Sequence, residues 1–243
     1  MKTDLKSTRI HERKQLQIPL KVYYPENSEE ELVETTLTEQ VSVCGLGFTV
    51  SQIIEPKRLV HLVLPMPKSL RLFDYSKEQY DVWGVVRYLH LIETDISDKI
   101  RVMVGVALIG GKPPTSFLMN PKTFYDLKPF LRNQSFWDSR ELPRTTGRYI
   151  RSLEERQPIE IKVIIKTIDD KGQIIEAVEA ETVNISESGA AIMTNLTYEI
   201  PKYVLIHPID QSISLLAAVR SYKSDSTDLV RLHLEFISGK WLF

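Results

Sequence analysis

The 243-residue sequence contains one cysteine, Cys44, so no disulfide can form within the chain. That excludes a cystine-stapled scaffold and fits a reducing compartment. It also lacks any run of about 18 apolar residues, the length a helix needs to cross a bilayer. The longest apolar stretches, such as Leu59–Leu64, are only strand-sized. The opening MKTDLKSTRIHERKQ has no apolar segment of the signal-peptide kind. A cytoplasmic protein with no membrane insertion is expected. Charge of one sign is missing too: 31 Lys+Arg against 32 Asp+Glu leave a formal net charge of -1. No global basic field points to DNA or RNA, and any anion site must come from a local cluster.

Catalytic signatures are equally scarce. The histidines, at 11, 61, 90, 207 and 233, are scattered and show no metal-ligand spacing. The carboxylates form no pair that nominates an acid and a base. There is no Walker-type loop and no GxSxG elbow. Cys44 reads as a small buried hydrophobe rather than a nucleophile. No metal, cofactor or catalytic residue is expected, and the chain does not read as an enzyme.

What the sequence does contain is β-structure from end to end. Short runs rich in β-branched and aromatic residues recur at Ile18–Tyr24, Val60–Leu64, Val82–Leu91, Arg101–Ile109, Ile159–Thr167, Tyr203–His207, Leu215–Tyr222 and Leu229–Phe236. Several alternate; Ile159, Ile161 and Val163 fall on one face. Asp169-Asp-Lys-Gly172 reads as a hairpin turn, with Gly172 free to take positive φ. The middle differs. Pro113-Pro114 closes the first strand-rich part. Asn120-Pro121 looks like an N-cap with proline at the first helical position, and Phe124, Leu127, Phe130 and Leu131 recur at helical spacing. A helix over about 121–132 is predicted, ended or kinked by Pro129.

The two β regions read as copies. Thr38-Glu-Gln-Val-Ser-Val-Cys-Gly-Leu-Gly-Phe48 parallels Thr182-Val-Asn-Ile-Ser-Glu-Ser-Gly-Ala-Ala-Ile192, with Ser42 and Gly45 falling on Ser186 and Gly189. Trp83-Gly-Val-Val-Arg-Tyr88 parallels Leu216-Ala-Ala-Val-Arg-Ser221, and both copies close on an apolar strand. Each copy also opens with arginines before its first strand: Arg9 and Arg13, then Arg144, Arg148 and Arg151. About thirty residues later comes a polar-x-Ser-x-x-Gly turn, Gln40, Ser42 and Gly45 in one copy and Asn184, Ser186 and Gly189 in the other. Such a constellation suits a compact phosphorylated ligand. Guanidinium groups grip phosphate through two bonds and stack on bases. Short amide and hydroxyl groups reach base edges or phosphate, and glycine permits close approach.

These residues resemble the PilZ family, whose domains carry RxxxR before the first strand and [D/N]xSxxG on a following strand or turn. Arg9-Ile-His-Glu-Arg13 fits the first motif, and Asn184-Ile-Ser-Glu-Ser-Gly189 fits the second in full. Gln17-Ile-Pro-Leu20, Gly84-Val-Val-Arg87 and Val104-Gly-Val106 look like further strands of the family. The resemblance implies a mainly all-β chain: two six-stranded antiparallel β-barrels, at 1–112 and 144–243, joined by a helix-containing linker at 113–143. It also implies a ligand, the bacterial second messenger cyclic diguanylate (cyclic di-GMP). The contacts it nominates are Arg9, Arg13, Gln40, Ser42 and Gly45 in one copy and Arg144, Arg148, Arg151, Asn184, Ser186 and Gly189 in the other.

Two departures from the family stand out. Gln40 is longer than the usual aspartate or asparagine. Arg144-Thr-Thr-Gly-Arg148 lies about twice as far from its strand as Arg13 does, so Arg151 or Arg156 competes for the second arginine's place. The expected function is a non-enzymatic receptor that passes its signal by domain rearrangement to an unidentified protein partner. The competing expectation is a degenerate module that docks a partner without nucleotide.

Overall fold

The computed structural model describes residues 12–25, 31–92, 98–129, 136–143, 155–169, 171–196, 199–224 and 229–243. Arg9, Arg144, Arg148 and Arg151 lie outside these residues. Six strands close the first barrel: β1 (Pro19–Pro25), β2 (Glu31–Ser42), β3 (Gly45–Val50), β4 (Leu59–Leu64), β5 (Tyr80–Ile92) and β6 (Arg101–Gly110), in the order β1-β2-β3-β6-β5-β4. After it come a short helix α1 (Thr115–Met119) and a two-stranded sheet of β7 (Tyr125–Leu127) and β8 (Ser139–Glu141). The second barrel comprises β9 (Lys162–Ile168), β10 (Ile174–Ser186), β11 (Gly189–Thr194), β12 (Tyr203–Pro208), β13 (Leu215–Ser224) and β14 (Val230–Phe236). Its order, β10-β11-β14-β13-β12-β9, is the order of the first barrel strand for strand. The two closed six-stranded antiparallel barrels of the sequence reading are therefore present. Closure leaves neither sheet with an open edge.

Alternation fills each interior. In the second barrel Val163, Ile165, Ile185, Ala190, Ile192, Val204, Ile206, Leu232 and Leu234 form one buried cluster with Trp241. In the first, Val60, Leu62 and Leu64 of β4 are fully buried on one face, while His61 and Val63 on the other are only partly so. By contact density the chain divides into two units. One comprises Met1–Thr49, Lys57–Arg87 and Gly105–Leu142; the other comprises Val50–Pro56, Tyr88–Val104 and Pro143–Phe243.

Over the described residues 121–129 the predicted helix is not there, and Phe130 and Leu131 lie outside the described residues. Helix α1 ends where that helix was to begin: the backbone N–H of Asn120 closes the last turn on Ser116. The Asn120 side chain then accepts from the N–H of Lys122 in a local turn. Beyond it the chain is extended, and Tyr125 is buried with Leu59, Val85 and Phe117 on the outside of the first barrel. Helical spacing of Phe124 and Leu127 was the misleading signal. A single inward Tyr125 and a backbone bond from its N–H to Lys57 O (2.8 Å) decide for strand. Likewise β9 starts at Lys162, so Ile159 is 36% exposed rather than a core residue. The turn at 169–172 is present: Asp169 Oδ1 accepts from the N–H groups of Lys171 and Gln173, and Gly172 has φ +79°.

No helix among the described residues is long and apolar enough to cross a membrane.

Candidate ligand site on the bulged second strand of each barrel

The segment before each first strand is pinned to β2 or β10 by the same set of bonds. Lys14 exchanges both backbone bonds with Val41 (2.8 and 2.9 Å), and Gln157 does so with Ile185 (2.8 and 3.0 Å). A few residues on, a buried threonine hydroxyl ties segment to strand. Thr38 Oγ1 accepts from Ile18 N–H (3.0 Å) and donates to Leu16 O. Thr182 Oγ1 accepts from Ile161 N–H (2.9 Å) and donates to Ile159 O (2.6 Å). Both hydroxyls use donor and acceptor fully, as a buried polar group must.

Each long strand bulges just after that threonine. The register jumps from Thr38 to Gln40 against β3, and from Thr182 to Asn184 against β11. A bulge adds one residue and re-aims the side chains that follow it. Here it brings the amides of Gln40 and Asn184 to the barrel's outer surface, beside the pinned segment. Arg13 Nη1 donates to Gln40 Oε1 at 3.4 Å, and Arg156 Nη1 donates to Asn184 Oδ1 at 3.3 Å. Both contacts are long and exposed, at the weak end of hydrogen-bond geometry. Each arginine is thus placed beside an amide on the outer surface of its barrel.

The serine and glycine do something different. Ser42 Oγ donates to Gly45 O (3.0 Å) and Ser186 Oγ to Gly189 O (3.3 Å), closing the two hairpin turns. Both serines are buried, at 3% and 2% exposure. The glycines let neighbouring strands approach. A Cβ on Gly45 would sit 2.7 Å from Val106 O, and one on Gly189 would sit 2.3 Å from Leu234 O. The glycine requirement at these positions is met by strand packing alone, and the same hairpin sets the position of the preceding amide.

Six of the nominated positions plus Arg13 can therefore be placed. Arg13 and Gln40 meet in the first barrel, while Ser42 and Gly45 shape the adjoining turn. Asn184, Ser186 and Gly189 repeat that arrangement in the second. The partner of Asn184 is Arg156, which the sequence reading raised only as an alternative. The signal was present: Arg13 precedes Gln40 by 27 residues and Arg156 precedes Asn184 by 28. Counting back from the turn motif finds it; looking for RxxxR does not, because position 152 is a serine.

A second arginine sits deeper, in the unit that holds the second barrel. Arg220 sits at a bulge in β13, between Val219 and Ser221, and pairs with Glu55 (2.7 Å) and Glu235 (2.6 Å). Tyr203 also donates to Glu55 (3.1 Å). Burial alone would lower the guanidinium's pKa; the two carboxylates more than offset that and raise it. Its counterpart by sequence, Arg87, instead lies over the Trp137 ring at 5.2 Å. Among the described residues no cluster of His, Cys, Asp or Glu could hold a metal ion.

No protein-family model matches the sequence, and no curated protein does. Solved structures do. The Borreliella burgdorferi PlzA protein in complex with c-di-GMP aligns over 93% of this chain and 86% of its own, at 10% identity and a TM-score of 0.28. The Bacillus subtilis inhibitor of motility aligns over 92% and 88%, at 13% identity and a TM-score of 0.26. Escherichia coli YcgR in complex with c-di-GMP aligns over 90% and 75%, at 10% identity and a TM-score of 0.22.

Proposed function

We propose that this chain is a PilZ-type receptor: a cytoplasmic, non-enzymatic protein that binds cyclic diguanylate and passes the signal to a partner protein by domain rearrangement. The observation that carries the reading is the duplicated pairing of an arginine with an amide on a bulged strand, Arg13 with Gln40 and Arg156 with Asn184. An exposed guanidinium beside an amide offers phosphate-gripping and base-reading groups side by side. In this reading Arg144, Arg148 and Arg151 add charge ahead of Arg156, as Arg9 does ahead of Arg13. Ser42, Gly45, Ser186 and Gly189 hold the turn against which the ligand lies. Each charge-assisted bond formed would contribute about 1.5–3 kcal/mol.

One observation favours a different role for the first barrel. Gln40 places its amide one methylene farther from the backbone than Asn184 does, on an otherwise matching scaffold. That barrel is the better candidate for docking a partner without nucleotide. Titration calorimetry of the whole chain with cyclic diguanylate tests the reading. Saturable binding at micromolar concentration or tighter is expected. No heat at tens of micromolar, by contrast, rejects it.

A further inference from the structure

We propose that the ligand surface of the second barrel continues past Asn184 onto β14, where Arg231 supplies a second cation and His233 lines the path between. This rests on the receptor reading above and identifies residues outside both motifs. The strand register brings them together. Asn184 pairs with Ala191 on β11, and Ala191 pairs with His233 on β14. Two strand spacings, about 10 Å, separate Asn184 from His233. Ala191 lies buried between them with only a methyl group. One row over, Met193 pairs with Arg231, and Arg231 pairs with Lys223 of β13. Leu232 and Leu234 are buried in the barrel core, so alternation turns Arg231 and His233 to the outer face.

Arg231 also has an unmet need. Its Nε is buried and has no hydrogen-bond partner among the described residues. Such a donor is costly to leave unpaired, and an incoming oxyanion is the acceptor it lacks. Among the described residues the nearby carboxylates do not meet that need. Glu235 is engaged by Arg220, and Glu181 is exposed on the far side of Met193. The cross-strand neighbours of Arg231 are a methionine and a lysine, an arrangement that favours an anion.

A cyclic dinucleotide carries phosphodiesters on opposite sides of its ring, so a receptor needs cations at two separated places. Arg156 beside Asn184 is one and Arg231 is the other. At the matching positions the first barrel has no second cation. Gly45 abuts Val106 O as Gly189 abuts Leu234 O, which matches Val106 to Leu234. Counting back, Gly105 stands for His233 and Met103 for Arg231. The inference therefore assigns the binding barrel as well as the residues.

The test is calorimetry of the full chain with cyclic diguanylate, comparing wild type, Arg231→Ala and Asn184→Ala. Binding at least tenfold weaker in Arg231→Ala is expected, with His233→Ala weakened less. Arg231→Gln keeps part of the stem and removes the charge; it decides the matter if the alanine variant unfolds. Wild-type affinity in the Arg231 variants, with Asn184→Ala impaired, overturns this inference and leaves the receptor reading standing. Absence of binding by the wild type overturns both.

Discussion

The two barrels share a strand order, a bulge and a threonine tie, yet they differ in how they use equivalent arginines. In the first, Arg87 rests on an aromatic ring, and positions 103 and 105 carry methionine and glycine. In the second, Arg220 is fixed between two carboxylates, and the matching β14 positions are Arg231 and His233. The backbone scaffold is common property, whereas the charge laid on it is not. Duplication of a fold thus preserves what packing demands and leaves the outer face free to specialise.

Four comparisons break or sharpen that contrast. Arg220→Ala should have the largest effect, because it strands Glu55, whose side chain is only 10% exposed. A loss of about 3 kcal/mol is expected in denaturant titration. Arg87→Ala, which removes only a cation–π contact, should cost about 0.5–1 kcal/mol. Equal losses would mean that the two arginines are structurally alike after all.

Next come the turn glycines. Gly189→Ala places a methyl group 2.3 Å from a backbone carbonyl, and Gly45→Ala places one at 2.7 Å. Overpacking of this kind costs about 1–3 kcal/mol. Gly189→Ala should be the worse of the two by chemical denaturation.

Tyr80 is fully buried, and burial pushes its phenol up to about 12. A raised folded-state value stabilises the protein below the unfolded value near 10, and the contribution is lost as pH rises toward 12. The first unit should therefore weaken by about 2 kcal/mol over that window. Tyr80→Phe should flatten the alkaline limb of its melting temperature without touching the second barrel. The smallest effect is expected from the threonine ties. Thr38→Val and Thr182→Val should each cost about 1 kcal/mol and, unlike the other pairs, cost the same. A wide gap between them would show that the two scaffolds are not equivalent.

Much of this was legible from the amino-acid order. Alternating β-branched runs and the repeated Thr-x-x-x-Ser-x-x-Gly segment carried the two barrels and the turns. The connector was misread because Phe124 and Leu127 fit a helical period as well as an extended segment with one buried tyrosine. Arg156 was harder to single out, since it belongs to no RxxxR and its place is set by distance from the bulge. Arg231 and His233 were invisible, because only strand register sets them two strands from Asn184. No local pattern records a cross-strand row.

The most direct test of the central claim is to remove the arginine–amide pair from each barrel separately and measure cyclic diguanylate binding by calorimetry. The account predicts that Arg156→Ala and Asn184→Ala weaken binding at least tenfold, while Arg13→Ala and Gln40→Ala bind as wild type does. Undiminished affinity in the Arg156 and Asn184 variants would contradict it.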